Sequence, residues 1–201
     1  TNNHSVPTVV CSTSNAVASG IILSAEDSGL DHVHARVDPT RYAQQVRVFY
    51  DIAHFKRLGV VFEDTSEGRS YAGIEQITPV AKELGFALVT CDAPFSGLSL
   101  EEAEAAVLRC HEDLAPRVDA LYITIHRGVN PKSIHRLLEP VFAHNLPSFS
   151  MGTLWEVNAG VLMSMAQPNF GFAGDFYANT VAKILNGKTP RQLNQILADP
   201  Q

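Results

Sequence analysis

The chain has 201 residues, 45% of them hydrophobic, and its formal net charge at pH 7 is −6. This apolar content is sufficient for a folded core and excludes a fully disordered chain. The acidic balance argues against nucleic-acid binding, because proteins that bind nucleic acids usually carry a basic patch and a high isoelectric point. The sequence contains no run of about 18 apolar residues, so no membrane-spanning helix is predicted.

Short apolar runs alternate with helical patterns along the chain, which predicts an α/β fold with a mainly parallel sheet between layers of helices. Several runs are apolar at consecutive positions, as expected for strands buried on both faces. The predicted strands are 8–11, 58–62, 86–91, 120–125, 147–151 and 161–165. The predicted helices lie at 74–84, from 99, from 131 and at about 175–185.

Capping residues and prolines give these helices their expected ends. The first helix should end at Gly85, and Pro79 is expected either to kink it or to delay its start. The second begins at Ser99, where Glu102 three residues later completes a capping-box pattern. The third is expected to follow Asn130 as its N-cap, with a proline at the first helical position.

The three cysteines give no sign of a covalent framework. Cys11, Cys91 and Cys110 form no CxxC pair and have no spacing typical of metal ligands. A disulfide framework is therefore not predicted. Because Cys91 and Cys110 lie in apolar segments, we interpret them as small buried hydrophobic residues.

Enzyme motifs are absent from the sequence. It has no glycine-rich dinucleotide loop, no phosphate loop and no nucleophile elbow. His32 and His34 flank Val33 but have no third metal ligand nearby. We therefore predict a protein that is not an enzyme, with no catalytic residue, no cofactor and no metal site. An enzyme of flavodoxin-like architecture is the less favoured alternative.

Polar loops follow several of the predicted strands, at the edge where open α/β sheets bind ligands. Their hydroxyls, amides and charges of both signs suit a small polar ligand. The alternative interpretation is that each of these residues caps a helix or forms a turn. The loops are 12–15, 63–70, 126–128, 150–152 and 167–171.

An ordered series of motifs resembles a known family. The sequences that carry the resemblance are VVCSTSNAVASG (9–20), GLDHVHA (29–35), RLGVVF (57–62), SEGRS (66–70), VDALYI (118–123), LPSF (146–149) and VAKILNGKTP (181–190). Together they are similar to the substrate-binding proteins of ABC transporters with the type I periplasmic-binding-protein fold. That group contains tryptophan- and tyrosine-binding lipoproteins.

The resemblance implies a three-layer αβα fold with two lobes that are joined by crossovers and close on a ligand. Residues 1–55 would form part of lobe one, with a strand, a helix and a crossover. Residues 56–165 would form the complete lobe two, and residues 166–201 a return crossover with a C-terminal helix packing toward lobe one. The first βα units of lobe one would be absent from this chain.

The resemblance also implies a set of ligand-binding residues in the polar loops. They are Ser12, Thr13, Ser14 and Asn15 in lobe one, and Glu67, Ser70, His126, Arg127, Ser150 and Met151 in lobe two. Asn15 and Ala16 replace the Asp-Pro of the family turn. His126 replaces an aspartate, and together with Arg127 it would favour an anionic ligand.

The implied function is that of an extracytoplasmic solute-binding component of an ABC transport system. It would bind a small polar ligand, an amino acid or related carboxylate, between its two lobes. An ABC permease would be its membrane partner, and the full-length protein would be periplasmic or extracytoplasmic and lipid-anchored. The unfinished sheet edge of lobe one could pair with a second copy to give a homodimer. The alternative function is the ligand-sensing input domain of a signalling receptor.

Overall fold

The structure is a computed structural model that describes residues 4–11, 13, 15–152, 154–165 and 171–197. The chain divides into two compact units. Unit 1 combines residues 1–41 with residues 167–201, and unit 2 consists of residues 42–166. Within the described ranges, no helix is long and apolar enough to cross a membrane.

The secondary structure alternates between strands and helices over most of the chain. In chain order the elements are β1 (Thr8–Val10), β2 (Val33–Ala35), α1 (Arg41–Ala53), β3 (Arg57–Phe62), α2 (Ser66–Tyr71), α3 (Ile74–Leu84), β4 (Ala87–Asp92), α4 (Leu100–Leu114), β5 (Ala120–Ile123), α5 (Ile134–Ala143), β6 (Ser148–Ser150), α6 (Leu154–Asn158), β7 (Met163–Ser164) and α7 (Gly171–Leu185), followed by a 3₁₀ turn at Pro190–Gln192.

Unit 2 contains a parallel sheet in which the described strands have the order β4-β3-β5-β6-β7. From β3 the chain first steps to β4 on one side and then returns to place β5 on the other side of β3. Connections leaving neighbouring strands in opposite directions open a crevice at the carboxyl ends of those strands, and open α/β sheets bind ligands there. In this unit the crevice position lies between β3 and β5.

Two hydrophobic clusters cover the two faces of this sheet. Successive side chains of a strand point to opposite faces, so Val60 of β3 belongs to the cluster with α1 and α3, whereas Val61 belongs to the cluster with α4 and α5. On β5, Tyr122 and Leu121 divide in the same way. Each large apolar side chain buried here contributes about 1.5–3 kcal/mol. The three-layer α/β fold expected from the alternating pattern is therefore confirmed.

The capping residues explain where α4 begins and where α3 ends. The Ser99 side chain accepts a hydrogen bond from the Glu102 backbone N–H, and the Glu102 carboxylate accepts one from the Ser99 N–H, which completes the predicted capping box of α4. Helix α3 ends at Gly85, whose φ of 76° lies in the left-handed region that favours glycine. Since α3 begins at Ile74 and continues through Pro79, the proline does not delay its start.

Helix α5 begins later than predicted. Asn130 does act as a cap, because its side-chain oxygen accepts the backbone N–H groups of Lys132 and Ser133. However, residues 131–133 form a turn, and the helix itself starts at Ile134. The cap therefore stabilises the turn that leads into the helix.

The interpretation of two cysteines as free buried residues was wrong. Cys91, near the end of β4, and Cys110, on α4, form a disulfide across 19 residues of sequence. Their pairing depends on how α4 packs beside β4, which cysteine spacing alone does not reveal. Cys11 is free and exposed.

Unit 1 is built around a much smaller sheet. The three-residue strands β1 and β2 pair in parallel, and β2 had not been predicted from the sequence. The buried side chain of Gln195 ties the C-terminal segment to the rest of the unit, since its oxygen accepts the Ala35 N–H and its nitrogen donates to the carbonyls of Ser24 and Ala25. Arg191 also pairs with Asp27 at 2.7 Å.

Candidate functional site

The carboxyl ends of β3 and β5 bring together several loops of unit 2. Glu63 follows β3 directly, and Thr124 follows β5. The Thr124 hydroxyl donates to the Val61 carbonyl at 2.5 Å, which joins the two strand ends. Beside them, the Asp64 N–H donates to the Asp92 carboxylate at the end of β4. These contacts define the candidate ligand edge.

Glu63 is a buried carboxylate at the centre of this edge, with only 5% of its surface exposed. One oxygen accepts the backbone N–H groups of Phe95 and Ser96 at 3.0 and 2.8 Å, and the other accepts the Ser96 hydroxyl at 2.6 Å. Burial alone would raise the pKa of the Glu63 carboxyl, but the hydrogen bonds from Ser96 and Phe95 outweigh it and hold the pKa below its ordinary value. Glu63 is therefore ionised at neutral pH.

His126 lies beside the same loop and is held by two backbone groups. Its Nδ1 accepts the Gly128 N–H, and its Nε2 lies 2.9 Å from the Ala93 carbonyl, so the proton must be on Nε2. Burial lowers the pKa of His126, although the hydrogen bond to Ala93 and the charge of Glu63 oppose this effect. His126 is thus a neutral imidazole with both ring nitrogens engaged by the backbone.

Arg127 differs from His126 because its side chain is exposed. One guanidinium nitrogen donates to the Leu98 carbonyl at 2.8 Å. A guanidinium carries five N–H donors, so this single bond leaves donor capacity for a ligand carboxylate. Any attraction of the β5 loop for an anion therefore depends on Arg127 and not on His126.

The other predicted residues of unit 2 occupy contrasting environments. Glu67 is exposed in the first turn of α2, whereas Ser70 is buried in the last turn of that helix. Ser150 is buried at the end of β6, and its hydroxyl accepts the Gly152 N–H. Met151 is buried in the cluster that contains α1 and α3. Glu67 and Arg127 are thus the accessible members of the predicted set in this unit.

In unit 1, the predicted residues Ser12 and Ser14 lie outside the described residues, and Thr13 is half-buried. The Asn15 side chain accepts the backbone N–H groups of Val17 and Ala18 at 3.2 and 3.0 Å. This arrangement matches the alternative interpretation of a turn-capping asparagine.

Sequence reasoning did not single out Glu63, although the loop 63–70 had been included in the polar edge. The available signal was a carboxylate placed directly after a strand that is apolar on consecutive positions. It also missed Ile125, a large apolar side chain that follows β5 and is 45% exposed. An exposed apolar group beside charged groups gives the edge a surface for the apolar part of a ligand.

The charged groups of the edge are mainly acidic. Asp64, Glu67 and Asp92 are exposed carboxylates, and Arg69 pairs with Asp64 at 3.3 Å. Among the residues that the structure describes, no group of three or more His, Cys, Asp or Glu side chains could hold a metal ion. The edge therefore offers carboxylates for an ammonium group and Arg127 for a carboxylate.

Comparisons with known proteins identify the fold. No protein-family model matches the sequence, and no curated protein matches it. A conserved domain protein from Vibrio cholerae O1 biovar eltor has a similar structure, with a TM-score of 0.74 at 23% identity over 96% of this chain and 62% of that chain. An ABC domain from Streptococcus pneumonia, solved in complex with L-Trp, has a TM-score of 0.72 at 17% identity over 97% and 62% of the two chains.

Two further structures show how widely this fold is used. A substrate-binding protein with adhesive properties from Clostridium difficile, in its ligand-free open form, gives a TM-score of 0.61 at 18% identity over 97% of this chain and 62% of that chain. A LacI family transcriptional regulator from Bifidobacterium animalis subsp. lactis gives 0.58 at 16% identity over 87% and 63%. The chain spans about 62% of the length of the first solved structures that it matches. It has the α/β fold of periplasmic-binding-protein-like substrate-binding proteins.

Proposed function

We propose that the protein carrying this chain is an extracytoplasmic solute-binding component of an ABC transport system. It binds a small polar ligand at the carboxyl edge of the unit-2 sheet. The observation that carries this proposal is the preformed edge between β3 and β5, where buried hydrogen bonds already fix the polar loops. A site whose loops are ordered before binding loses less conformational entropy when a ligand arrives.

An amino acid is the ligand class that the edge favours. Arg127 can receive a carboxylate, the exposed Glu67 and Asp64 can receive an ammonium group, and Ile125 provides apolar contact area. Because His126 is neutral and engaged by the backbone, a purely anionic ligand would depend on Arg127 alone. The solved relative that holds L-Trp supports the same class. Ser70 and Ser150 are proposed as hydroxyl contacts that become accessible when the ligand binds.

The location outside the cytoplasm is supported by the Cys91–Cys110 disulfide. Disulfides persist in oxidising compartments such as the periplasm and are rare in the cytosol. An ABC permease as the membrane partner and a lipid anchor in the full-length protein complete this proposal.

A ligand-sensing input domain is the second candidate function. The observation that favours it is the shared fold with a LacI family transcriptional regulator. Both candidates require a small-molecule ligand, so they differ in the partner that reads the bound state and not in the binding edge.

A thermal-shift screen of the full-length protein tests the proposal. The panel contains the L-amino acids, their D-enantiomers and small carboxylates. We expect one chemical class of L-amino acids to raise the melting temperature, because a ligand at 100 times its Kd stabilises the folded state by about 2.7 kcal/mol. A folded protein that responds to no member of the panel would contradict the proposal.

Two arginine variants test whether a ligand that raises the melting temperature binds at the edge of the unit-2 sheet. Arg127→Met should weaken binding of the responding amino acid by roughly tenfold or more, since a charge-assisted hydrogen bond contributes about 1.5–3 kcal/mol. Arg117→Met is the matched control, because Arg117 is exposed and pairs with Asp113. Equal affinities of the two variants would remove Arg127 from the proposed site.

A further inference from the structure

The connection between β4 and α4, residues 93–98, forms one side of the ligand edge. It contains neither helix nor strand, so its backbone N–H and C=O groups need other partners. Two of those partners are Glu63 and His126, which follow β3 and β5, the two strands that define the crevice position. Side chains outside the loop therefore hold its shape together with two backbone bonds, from the Ala93 N–H to the Phe62 carbonyl and from the Leu98 N–H to the Phe95 carbonyl.

Glu63 provides the largest number of these contacts. Its carboxylate receives two backbone N–H groups and one hydroxyl from Phe95 and Ser96. Such bonds to an ionised acceptor are shorter and stronger than bonds between neutral groups. Among the described residues, the carboxylate also accepts a longer bond from the Thr65 hydroxyl, at 3.4 Å.

Two further residues hold the loop from the β5 side. His126 donates from Nε2 to the Ala93 carbonyl, and its ring meets the Phe95 ring edge-on at a centroid distance of 4.8 Å. Arg127 donates to the Leu98 carbonyl at the other end of the loop. The Cys91–Cys110 disulfide fixes the strand just before the loop begins.

We propose that Glu63 is the positioning residue of this edge: its buried carboxylate fixes the 93–98 loop as a rigid wall against which the ligand binds. This inference rests on the proposed function for its ligand-binding part. It does not require Glu63 to touch the ligand, because the carboxylate acts through the backbone of Phe95 and Ser96. It also extends the set of residues that control binding to a loop with no predicted ligand contact.

Alanine and glutamine variants at position 63 test whether the hydrogen-bond acceptor of this side chain holds the loop. In Glu63→Gln, the remaining side-chain oxygen can still accept the N–H groups of Phe95 and Ser96, and the new NH₂ can donate to the Ser96 hydroxyl. In Glu63→Ala, all of these acceptors are lost. A positioning role therefore predicts a large effect of alanine and rescue by glutamine.

The first arm of the experiment measures hydrogen–deuterium exchange of the full-length, ligand-free protein at pH 7. Glu63→Ala should raise exchange at the Phe95 and Ser96 amides by about tenfold or more, because their hydrogen-bond acceptor is removed. Glu63→Gln should stay close to the wild type. Glu112→Gln is the control, because Glu112 is an exposed carboxylate on α4. Unchanged exchange at the loop in Glu63→Ala would overturn the inference.

A milder variant keeps the test decisive if Glu63→Ala does not fold. Ser96→Ala removes only the hydrogen bond from the Ser96 hydroxyl to Glu63. Ser96 is an exposed residue, so this substitution leaves no cavity in the core. It should raise exchange at the loop by a smaller factor, about threefold. Exchange equal to that of the wild type would overturn the inference.

The second arm measures the affinity of each variant for the panel of L-amino acids. Glu63→Ala should weaken binding by about tenfold, because the released 93–98 loop must become ordered each time a ligand binds. Glu63→Gln should weaken it by much less. A released loop with unchanged affinity would overturn the role of the loop as a wall. If the wild type binds no panel member while Glu63→Ala still releases the loop, the proposed function fails and the positioning of the loop by Glu63 is supported.

Discussion

Units 1 and 2 have different sources of stability. In unit 2, large apolar clusters cover both faces of a parallel sheet, and a disulfide joins β4 to α4. Among the described residues of unit 1, the buried cluster consists of five small or medium apolar residues around two short strands. Polar contacts between segments about 160 residues apart, such as those of Gln195, join its parts. Unit 2 is therefore stabilised mainly by its core and unit 1 largely by specific hydrogen bonds.

This difference explains why the two units were not equally visible in the sequence. A unit stabilised by a large apolar core shows recognisable patterns in the sequence, namely continuous apolar runs for buried strands and apolar stripes for helices. A unit that depends on single hydrogen bonds between distant segments leaves little periodic signal.

Removal of the disulfide should have the largest effect. In the double variant Cys91→Ala/Cys110→Ala, the free energy of unfolding should fall by about 3 kcal/mol. The disulfide closes a loop between residues 19 positions apart, and without it the unfolded chain regains the conformational entropy of that loop. Urea denaturation monitored by circular dichroism measures the change. Cys11→Ser is the matched control, since Cys11 is free and exposed. A loss no larger than that of the control would mean that the noncovalent core alone stabilises unit 2.

Acidification should destabilise unit 2 through a buried histidine. Burial lowers the pKa of His111 to about 4, against the opposing hydrogen bond of its Nδ1 to the Leu137 carbonyl. Between pH 6.5 and pH 4, His111 is protonated in the unfolded chain but stays neutral in the folded protein. The free energy of unfolding therefore falls as the pH decreases from about 6.5 to 4.

The expected loss for this one group between pH 7 and pH 5 is about 2 kcal/mol. Urea denaturation at the two pH values measures it. A His111→Gln variant, which keeps a donor near Leu137, should lose less stability over the same interval. An identical pH dependence in this variant would assign the effect to other groups.

Loss of one amide should loosen unit 1. In Gln195→Ala, the Ala35 N–H and the carbonyls of Ser24 and Ala25 lose their side-chain partner. An unsatisfied buried polar group costs about 1–3 kcal/mol, of which water should recover a part at the half-exposed Ser24 and Ala25. Hydrogen exchange at residues 24–37 should rise, whereas Gln192→Ala, an exposed position in the same segment, should leave it unchanged. Equal exchange in both variants would contradict the dependence of unit 1 on hydrogen bonds.

Much of unit 2 could be predicted from the sequence because its signals are local. Ser99 and Glu102 lie within one helical turn, and Gly85 ends α3 through its own backbone conformation. Strand β2 was missed because three residues are too few to show a period. The polar edge could be located from strand ends, but the bonds from Phe95 and Ser96 to Glu63 join residues 32 and 33 positions apart. Such partners, like the pairing of Cys91 with Cys110, follow from packing and not from spacing.

The central claim is that a small polar ligand binds at the carboxyl edge of the unit-2 sheet. The most direct test is to follow the backbone amide NMR signals of the full-length protein while the responding L-amino acid of the panel is added. The account predicts saturable shifts concentrated at residues 63–70, 93–98, 124–128 and 150–152. Saturable binding whose shifts lie elsewhere, with these loops unaffected, would contradict it.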